Sequence, residues 1–376
     1  MLKRLYVHNY KCLVNLDINI DKNFGLFMGE NGSGKTAVFD ALYEIQHFIR
    51  SGARLDDKLN TSFKSSTLTR WLNEPVQKFE LDINGNSGLF KYTLEIEHNL
   101  ERKLIRVKSE ALLFNNQPLY KFSIEEQDGM SISVGRLFND HQTSNEGIPW
   151  ASSWFSSALG SIQERHDNKK LSWFKKWLDQ LYIIKITPST LKIEIDTEEA
   201  YPERNLSNYA AWLNYWNNEN SEGVFLVLTE LKKIIKEFKS FKFTQLGLQK
   251  ILEVKIDKLF YFFNELSDGQ QALTILYTII YCVPENSFIC IDEPENFVAL
   301  PEIQPWFDKL YDQCAERGLQ ALLISHHPNI INYLASDSGY WFSRENNLTR
   351  IQKISAENES GLSVAELVEL GWIYDE

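Results

Sequence analysis

One short run constrains this chain more than any other: Gly29-Glu30-Asn31-Gly32-Ser33-Gly34-Lys35-Thr36. It fits G-x-x-x-x-G-K-[ST], and it stands where that pattern has physical meaning. Phe24-Gly25-Leu26-Phe27-Met28 before it is a short apolar run that reads as a buried strand. Ala37 to Ile45 after it carries a helical apolar period. Glycines at Gly29, Gly32 and Gly34 let successive backbone N–H groups turn toward phosphate oxygens, and the helix N-terminus adds a favourable dipole. The pattern therefore implies binding of a nucleoside triphosphate. Asn31 and Ser33 complete the loop, Lys35 reaches the β/γ-phosphates, and the Thr36 hydroxyl takes Mg²⁺.

The rest of the chain is compatible with a globular α/β protein. Its 376 residues are 43% hydrophobic and 24% charged, enough for one large or two ordinary domains. No apolar stretch approaches the roughly 20 residues that cross a bilayer. The start, Met1 to Val7, lacks an apolar core and a small-residue cleavage site, so no secretory signal is expected. Cys12, Cys282, Cys290 and Cys314 show no C-x-x-C spacing, which points to reduced thiols and a cytoplasmic protein. The net charge of -12 argues against a chain-wide basic footprint for duplex DNA. Two local lysine clusters, Lys232/Lys236/Lys239 on one side of an expected helix and Lys169-Lys170 with Lys175-Lys176, read as solvated helix faces.

Alternation of apolar and polar residues gives the strands. The first 28 residues read as a β-meander, with Val14, Leu16, Ile18 and Ile20 alternating. A second β block follows: Phe79, Leu81 and Ile83, a turn at Asn84-Gly85-Asn86-Ser87, then Phe90, Tyr92, Leu94 and Ile96, extended by Ile105 and Val107. From about 136 to 220 the chain is polar but rich in tryptophan. Trp150/Trp154, Trp173/Trp177 and Trp212/Trp216 each fall at i,i+4, which predicts short amphipathic helices with the indoles as packing. The strand Leu181–Ile186, ended by Pro188, divides this region. Leu228, Leu231, Ile235 and Phe238 have helical spacing, and Leu252, Val254 and Ile256 alternate as a strand. The remainder is an α/β pattern: a helix near Gln270–Cys282, the strand Phe288–Ile291, a helix near Ile303–Arg317 and the strand Ala321–Ile324. No sustained heptad run is present, so a long coiled coil is not expected. The expected lobes are 1–135, a helical 136–240 and 241–376.

Asp292-Glu293 ends an apolar strand, as a Walker B segment does. Such a strand delivers its first carboxylate to the metal shell and the next residue to the attacking water. Asp292 is thus the metal-holding carboxylate and Glu293 the general base. Leu266-Ser267-Asp268-Gly269-Gln270 precedes the next helix back and resembles the LSGGQ signature of ABC-type ATPases, with Asp268 in place of the first glycine. A hydroxyl and glycine N–H groups at a helix N-terminus make a second anion cradle. His326, at the end of the strand Ala321–Ser325, takes the place of that class's switch histidine, where an imidazole can hydrogen-bond a γ-phosphate.

Together these segments resemble the ABC-type ATPases of the SMC/RecF superfamily, particularly the compact bacterial "AAA family ATPase" branch related to the ATPase halves of OLD-type nucleases. Leu2–Tyr10 with Lys11-Cys12, Asp292-Glu293-Pro294-Glu295-Asn296 and Ile324-Ser325-His326-His327-Pro328 carry the likeness, over roughly residues 1–110 and 240–370. The resemblance implies an ATPase head with a mixed β-sheet lobe and a helical lobe. It implies ATP and Mg²⁺, and two copies sandwiching two ATPs, each between Walker A of one chain and Ser267, Gly269 and Gln270 of the other. Lys11 would contact phosphate or the adenine side. A Q-loop glutamine is part of the pattern, and Gln117, Gln127 and Gln142 all stand in its region. Neither coiled-coil arms nor a C-terminal nuclease domain is expected.

The implied function is an ATP-hydrolysing dimer that switches a separate effector, such as a nuclease or toxin, in defence against phage or mobile DNA. Two alternatives stay open: a RecF-like repair ATPase acting directly on DNA, and a non-hydrolysing ATP-bound scaffold that regulates a toxin. A transporter ATPase fits least.

Overall fold

Buried apolar runs and half-buried alternating runs sort into two different kinds of sheet. The computed structural model describes residues 1–57, 62–127, 129–140 and 147–354. The chain begins with strands β1 (Leu2–His8), β2 (Leu16–Asn19) and β3 (Phe24–Gly29) and helix α1 (Lys35–Arg50). Strands β4 (Val76–Gly85), β5 (Gly88–Asn99), β6 (Leu104–Phe114), β7 (Gln117–Gln127), β8 (Met130–Leu137) and β9 (Ile148–Ala151) follow. Then come α2 (Ala158–Ser161), α3 (Lys169–Asp179), β10 (Leu181–Ile184), β11 (Glu194–Ile195), α4 (Tyr209–Glu219) and α5 (Ser221–Ile234). The last stretch holds β12 (Phe238–Leu246), β13 (Gln249–Ile256), β14 (Leu259–Phe262), α6 (Asp268–Cys282) and β15 (Phe288–Asp292). It continues through α7 (Leu300–Glu316), β16 (Gln320–Ile324), α8 (Pro328–Ser338), β17 (Gly339–Glu345) and β18 (Leu348–Lys353). Among the described residues no helix exceeds the 17 residues of α7, in keeping with the expected lack of a long coiled coil.

Two compact units share these elements. The first comprises Met1–Lys22, Met28–Leu181 and Tyr340–Ile354. Its eight-stranded antiparallel sheet runs β2-β1-β4-β5-β6-β7-β8-β9. The alternating residues at Phe79, Leu81 and Ile83 and at Phe90, Tyr92, Leu94 and Ile96 are buried, as period 2 requires of a sheet covered on one face. α1 and α3 supply that cover. The Trp173 ring stacks on Phe90 at 4.9 Å between centroids. Trp173 also packs so closely on Gly85 that a Cβ there would fall 2.1 Å from the indole. The Gln46 amide of α1 donates to the carbonyls of Leu178 and Leu181, tying α1 to the end of α3.

The second unit includes, among the described residues, Asn23–Phe27 and Tyr182–Gly339. Its central strands lie in the order β10-β15-β16-β3, and β15, β16 and β3 are parallel. Every residue of β15 and β16 is buried, the signature of strands covered on both faces. α6 is apolar almost all round and buried from Gln271 to Ile280, so it is a core helix. The Trp306 indole of α7 donates to the Leu276 carbonyl of α6. A smaller antiparallel sheet orders β11-β13-β12, with β14 also on β13.

Three expectations need correction. The first 28 residues are not one meander. β1 pairs with β2 and β4, whereas β3 leaves to pair in parallel with β16. β3 is buried at Phe24 through Met28, and a strand apolar on both faces belongs inside a parallel sheet. Trp150 and Trp154 do not share a helix: Trp150 lies on β9, opposite Gly135 of β8, whose missing Cβ makes room for the indole. A spacing of four suits period 2 as well as period 3.6, so it could not discriminate. Trp173/Trp177 and Trp212/Trp216 do sit on helices, α3 and α4. Lastly, α5 ends at Ile234, so Lys236 lies beyond it and Lys239 is on β12. Phe238 likewise opens a strand rather than closing a helix.

Candidate functional site

The glycine loop lies in the first unit. β3 ends at Gly29, whose φ is +131°, and a Cβ there would fall 2.0 Å from the Phe342 carbonyl oxygen. Only glycine permits that approach. Gly32 (φ +79°) faces open space, while Gly34 (φ +107°) is hemmed in by Thr349, Cys12 and Leu13. Thr349 of β18 donates its hydroxyl to the Ser33 carbonyl at 2.9 Å, bracing the loop from beneath. No sequence signal marked Thr349, because the contact spans most of the chain. α1 starts at Lys35 with no side-chain cap and no acidic residue in its first turn. Its first N–H groups and its dipole are thus directed at the loop, an arrangement suited to an anion. The Lys35 ammonium curls over the same loop, donating to the carbonyls of Gly29 and Glu30 at 2.8 Å each and to the Ser33 hydroxyl at 3.3 Å. Glu30, Asn31 and Thr36 are exposed. Lys11, in a left-handed conformation (φ +54°), sends its ammonium to Asp40 on the second turn of α1.

The carboxylates lie in the second unit. Asp292 is the last residue of β15 and pairs with Ile324, which in turn pairs with Phe27 of β3. Phe27, Ile324 and Asp292 therefore form one row at the carboxyl ends of three parallel strands, where open α/β sheets bind ligands. Asp292 is 4% exposed. Glu293 has left the strand with φ +53°, and its N–H donates to the Ile324 carbonyl at 3.0 Å. Its Oε2 accepts from the Asn296 amide at 2.7 Å. His326 Nε2 lies 3.7 Å from Glu293 Oε1. The structure thus brings Asp292, Glu293 and His326 together.

Two residues without an assigned role complete this cluster. Glu295 is half-buried and accepts from the Ser325 hydroxyl, and Ser325 Oγ in turn accepts from the His327 N–H at 3.2 Å. Burial raises the Glu295 carboxyl above the usual carboxylate range, and the Ser325 hydrogen bond offsets only part of that. This pair pins the β16 end to the turn after β15. The other residue is Lys185, just past β10, whose ammonium is 3.5 Å from Asp292 Oδ2. A lone lysine ending an apolar run gives a sequence reader little to act on.

Ser267, Gly269 and Gln270 sit elsewhere in the second unit. Ser267 is the N-cap of α6 in a capping box: its hydroxyl accepts from the Gln270 N–H at 3.3 Å, and the Gln270 side chain accepts from the Ser267 N–H at 3.2 Å. They line a cavity of about 470 Å³ with Ile234, Phe297 and Glu302, and none of Asp292, Glu293 and His326 lines it. A Cβ on Gly269 would fall 2.8 Å from the Phe297 carbonyl oxygen. Of the glutamines in the Q-loop region, Gln117 opens β7 and Gln127 closes it, and Gln142 lies outside the described residues.

Among the described residues no group of three or more His, Cys, Asp and Glu could hold a metal by itself. Asp292 is a single buried carboxylate, so a Mg²⁺ held there would complete its shell largely with water and substrate phosphates. The four cysteines are free, and burial raises the thiols of Cys282 and Cys314 to about 12 each. Within the described residues no helix is long and apolar enough to cross a membrane.

Comparisons with known proteins bear on the fold and the family. The crystal structure of an SMC head bound to the C-winged helix domain of ScpA superposes over 95% of this chain and 98% of that one, with TM-score 0.55 at 12% identity, which shows the fold. The DNA replication and repair protein RecF of Actinobacillus pleuropneumoniae serotype 5b is 28% identical over 26% of this chain and 23% of its own length. RecF of Glaesserella parasuis serovar 5 is 22% identical over 46% of this chain and 48% of its own. The chain thus spans less than half the length of these curated relatives. A family model described as "AAA domain, putative AbiEii toxin, Type IV TA system" matches residues 26–332. The chain belongs to that AAA-domain family, within the SMC/RecF-type ABC ATPase superfamily.

Proposed function

We propose that the protein binds and hydrolyses ATP at a site shared between two copies of the chain, and that nucleotide occupancy switches a separate effector. The arrangement of Glu293, Asp292 and His326 at one strand-end row supports the hydrolytic half most strongly. Lys35 and the N–H groups of the glycine loop hold the β- and γ-phosphates. Thr36 and Asp292 hold Mg²⁺, which when bound neutralises phosphate charge and polarises the scissile bond. Glu293 takes the proton of the attacking water, and Asn296 orients its carboxylate. His326 hydrogen-bonds the γ-phosphate. Lys11, held by Asp40, contributes positive charge on the phosphate or adenine side.

The separation of the Ser267–Gln270 cavity from Asp292, Glu293 and His326 supports the dimer. A cradle of this kind has a use if a second copy presents its nucleotide to it, so each site takes Walker A from one chain and Ser267, Gly269 and Gln270 from the other. The family description, with its toxin and type IV toxin–antitoxin terms, is compatible with an effector that is a nuclease or toxin in antiviral defence. The RecF relatives favour a second reading, an ATPase acting directly on DNA.

Phosphate release by the Glu293→Gln variant tests the hydrolytic reading. The expected outcome is a loss of about 10²-fold or more with ATP affinity retained. Turnover at the wild-type rate in that variant would remove Glu293 from the base role. For the RecF-like reading, duplex DNA should raise wild-type turnover at low salt, and the effect should fade steeply as salt rises.

A further inference from the structure

Asp292 is almost fully buried, and a buried carboxylate without a cation is costly. A cation beside it is Lys185. It follows β10, the strand next to β15 in the sheet, and places its ammonium 3.5 Å from Asp292 Oδ2. Its backbone N–H is fixed by the Arg204 carbonyl at 2.9 Å, while its side chain is 51% exposed. So the root of Lys185 is anchored, while its half-exposed head can leave Asp292 toward solvent.

We infer that Lys185 is a stand-in cation at the metal-holding carboxylate: without metal its ammonium bridges Asp292 and a phosphate oxygen of the bound nucleotide, and a divalent cation displaces it from both. This rests on the nucleotide reading above and adds a residue to it. An ammonium and a divalent cation on one carboxylate repel each other, so binding of one weakens the other. Lysine suits the exchange because it is a compact point charge on a flexible stem. The consequence is an ordered site: nucleotide binds even without metal, through Lys185, and metal then displaces the lysine.

The test is calorimetric titration of the full chain with ATP, once in Mg²⁺ and once in EDTA, for the wild type and for Lys185→Met. In EDTA the variant should bind ATP about tenfold more weakly, the loss of one charge-assisted hydrogen bond. In Mg²⁺ it should bind as tightly as the wild type or more so. The ratio of the two affinities therefore grows about tenfold. Lys185→Arg keeps the charge and should stay near the wild-type ratio, and Lys185→Gln is the second neutral variant should Lys185→Met not fold. A ratio unchanged within twofold in the neutral variants overturns the proposal while leaving the nucleotide reading intact. A wild type that binds no ATP under either condition overturns both.

Discussion

His326 Nε2 stands 3.7 Å from Glu293 Oε1, although the two residues come from different strand ends. The distance is too long for a good hydrogen bond and short enough for one small movement, or one water, to close it. Neither residue is fully buried. His326→Ala should therefore lower kcat about 10²-fold while leaving stability within about 0.5 kcal/mol of the wild type. Steady-state turnover together with urea denaturation checks both halves. Turnover within twofold of the wild type would show that the imidazole takes no part in hydrolysis.

Glu295 and Ser325 hold that geometry, and their pair gives a prediction with a sign in pH. The folded-state pKa of Glu295 is raised by burial, so folding favours its protonated form. The contribution is fully present below the ordinary carboxylate value of 4.5 and is lost as pH rises through the raised folded value. Glu295→Gln mimics the neutral acid and should gain stability relative to the wild type between pH 4.5 and pH 8. Glu295→Ala instead strands the Ser325 hydroxyl and should lose about 1–3 kcal/mol at all pH values. Denaturation of the three proteins across this pH range decides the matter. Parallel curves for wild type and Glu295→Gln would contradict the account.

His98 supplies the opposite sign. Its ring is buried between the Ser65 hydroxyl at Nδ1 and the Gln77 side-chain oxygen at Nε2, so it is neutral and donates from Nε2. Burial lowers its pKa from 6.5 to about 4. A depressed folded-state pKa gives stability that is present above pH 6.5 and is lost as pH falls toward 4. The loss is at most about 3 kcal/mol. His98→Gln should flatten that part of the stability curve. Protonation adds a proton at Nδ1, so the Ser65 hydroxyl must turn from donor to acceptor, while the Nε2 bond to Gln77 is kept. Following the His98 ring by NMR through the titration gives the pKa directly.

Much of this site was legible because its parts are local. Gly29–Thr36 and the run Phe288–Asp292 announce a phosphate loop and a carboxylate on a buried strand, since glycine freedom and apolar continuity are written residue by residue. The parallel pairing of β3 with β16 was not legible, although its cause, an apolar run with no polar face, was in plain view. Alternation from Val14 to Ile20 predicted a meander, and burial of β3 on both faces overruled it. Trp150 was misplaced for a different reason: its helix and strand faces coincide at i,i+4, and only its pairing with Gly135 tells them apart. Thr349 and Lys185 act through contacts far apart in sequence, with nothing in their neighbours to mark them; Glu295 lies in the Walker B run, but its bond to Ser325 does not show there.

The most direct test of the central claim, a nucleotide site built from two chains, is complementation between two inactive variants. Lys35→Ala removes the phosphate grip of Walker A, and Ser267→Arg blocks the cradle at the start of α6. Each alone should lose turnover. Mixed in equal amounts they form heterodimers in which one site carries both lesions and the other carries neither. Phosphate release by the mixture should then recover to about one quarter of the wild-type rate, since about half of the dimers are mixed and each has one intact site. No recovery, from two folded variants shown to exchange subunits, would mean that each chain hydrolyses ATP with its own residues alone.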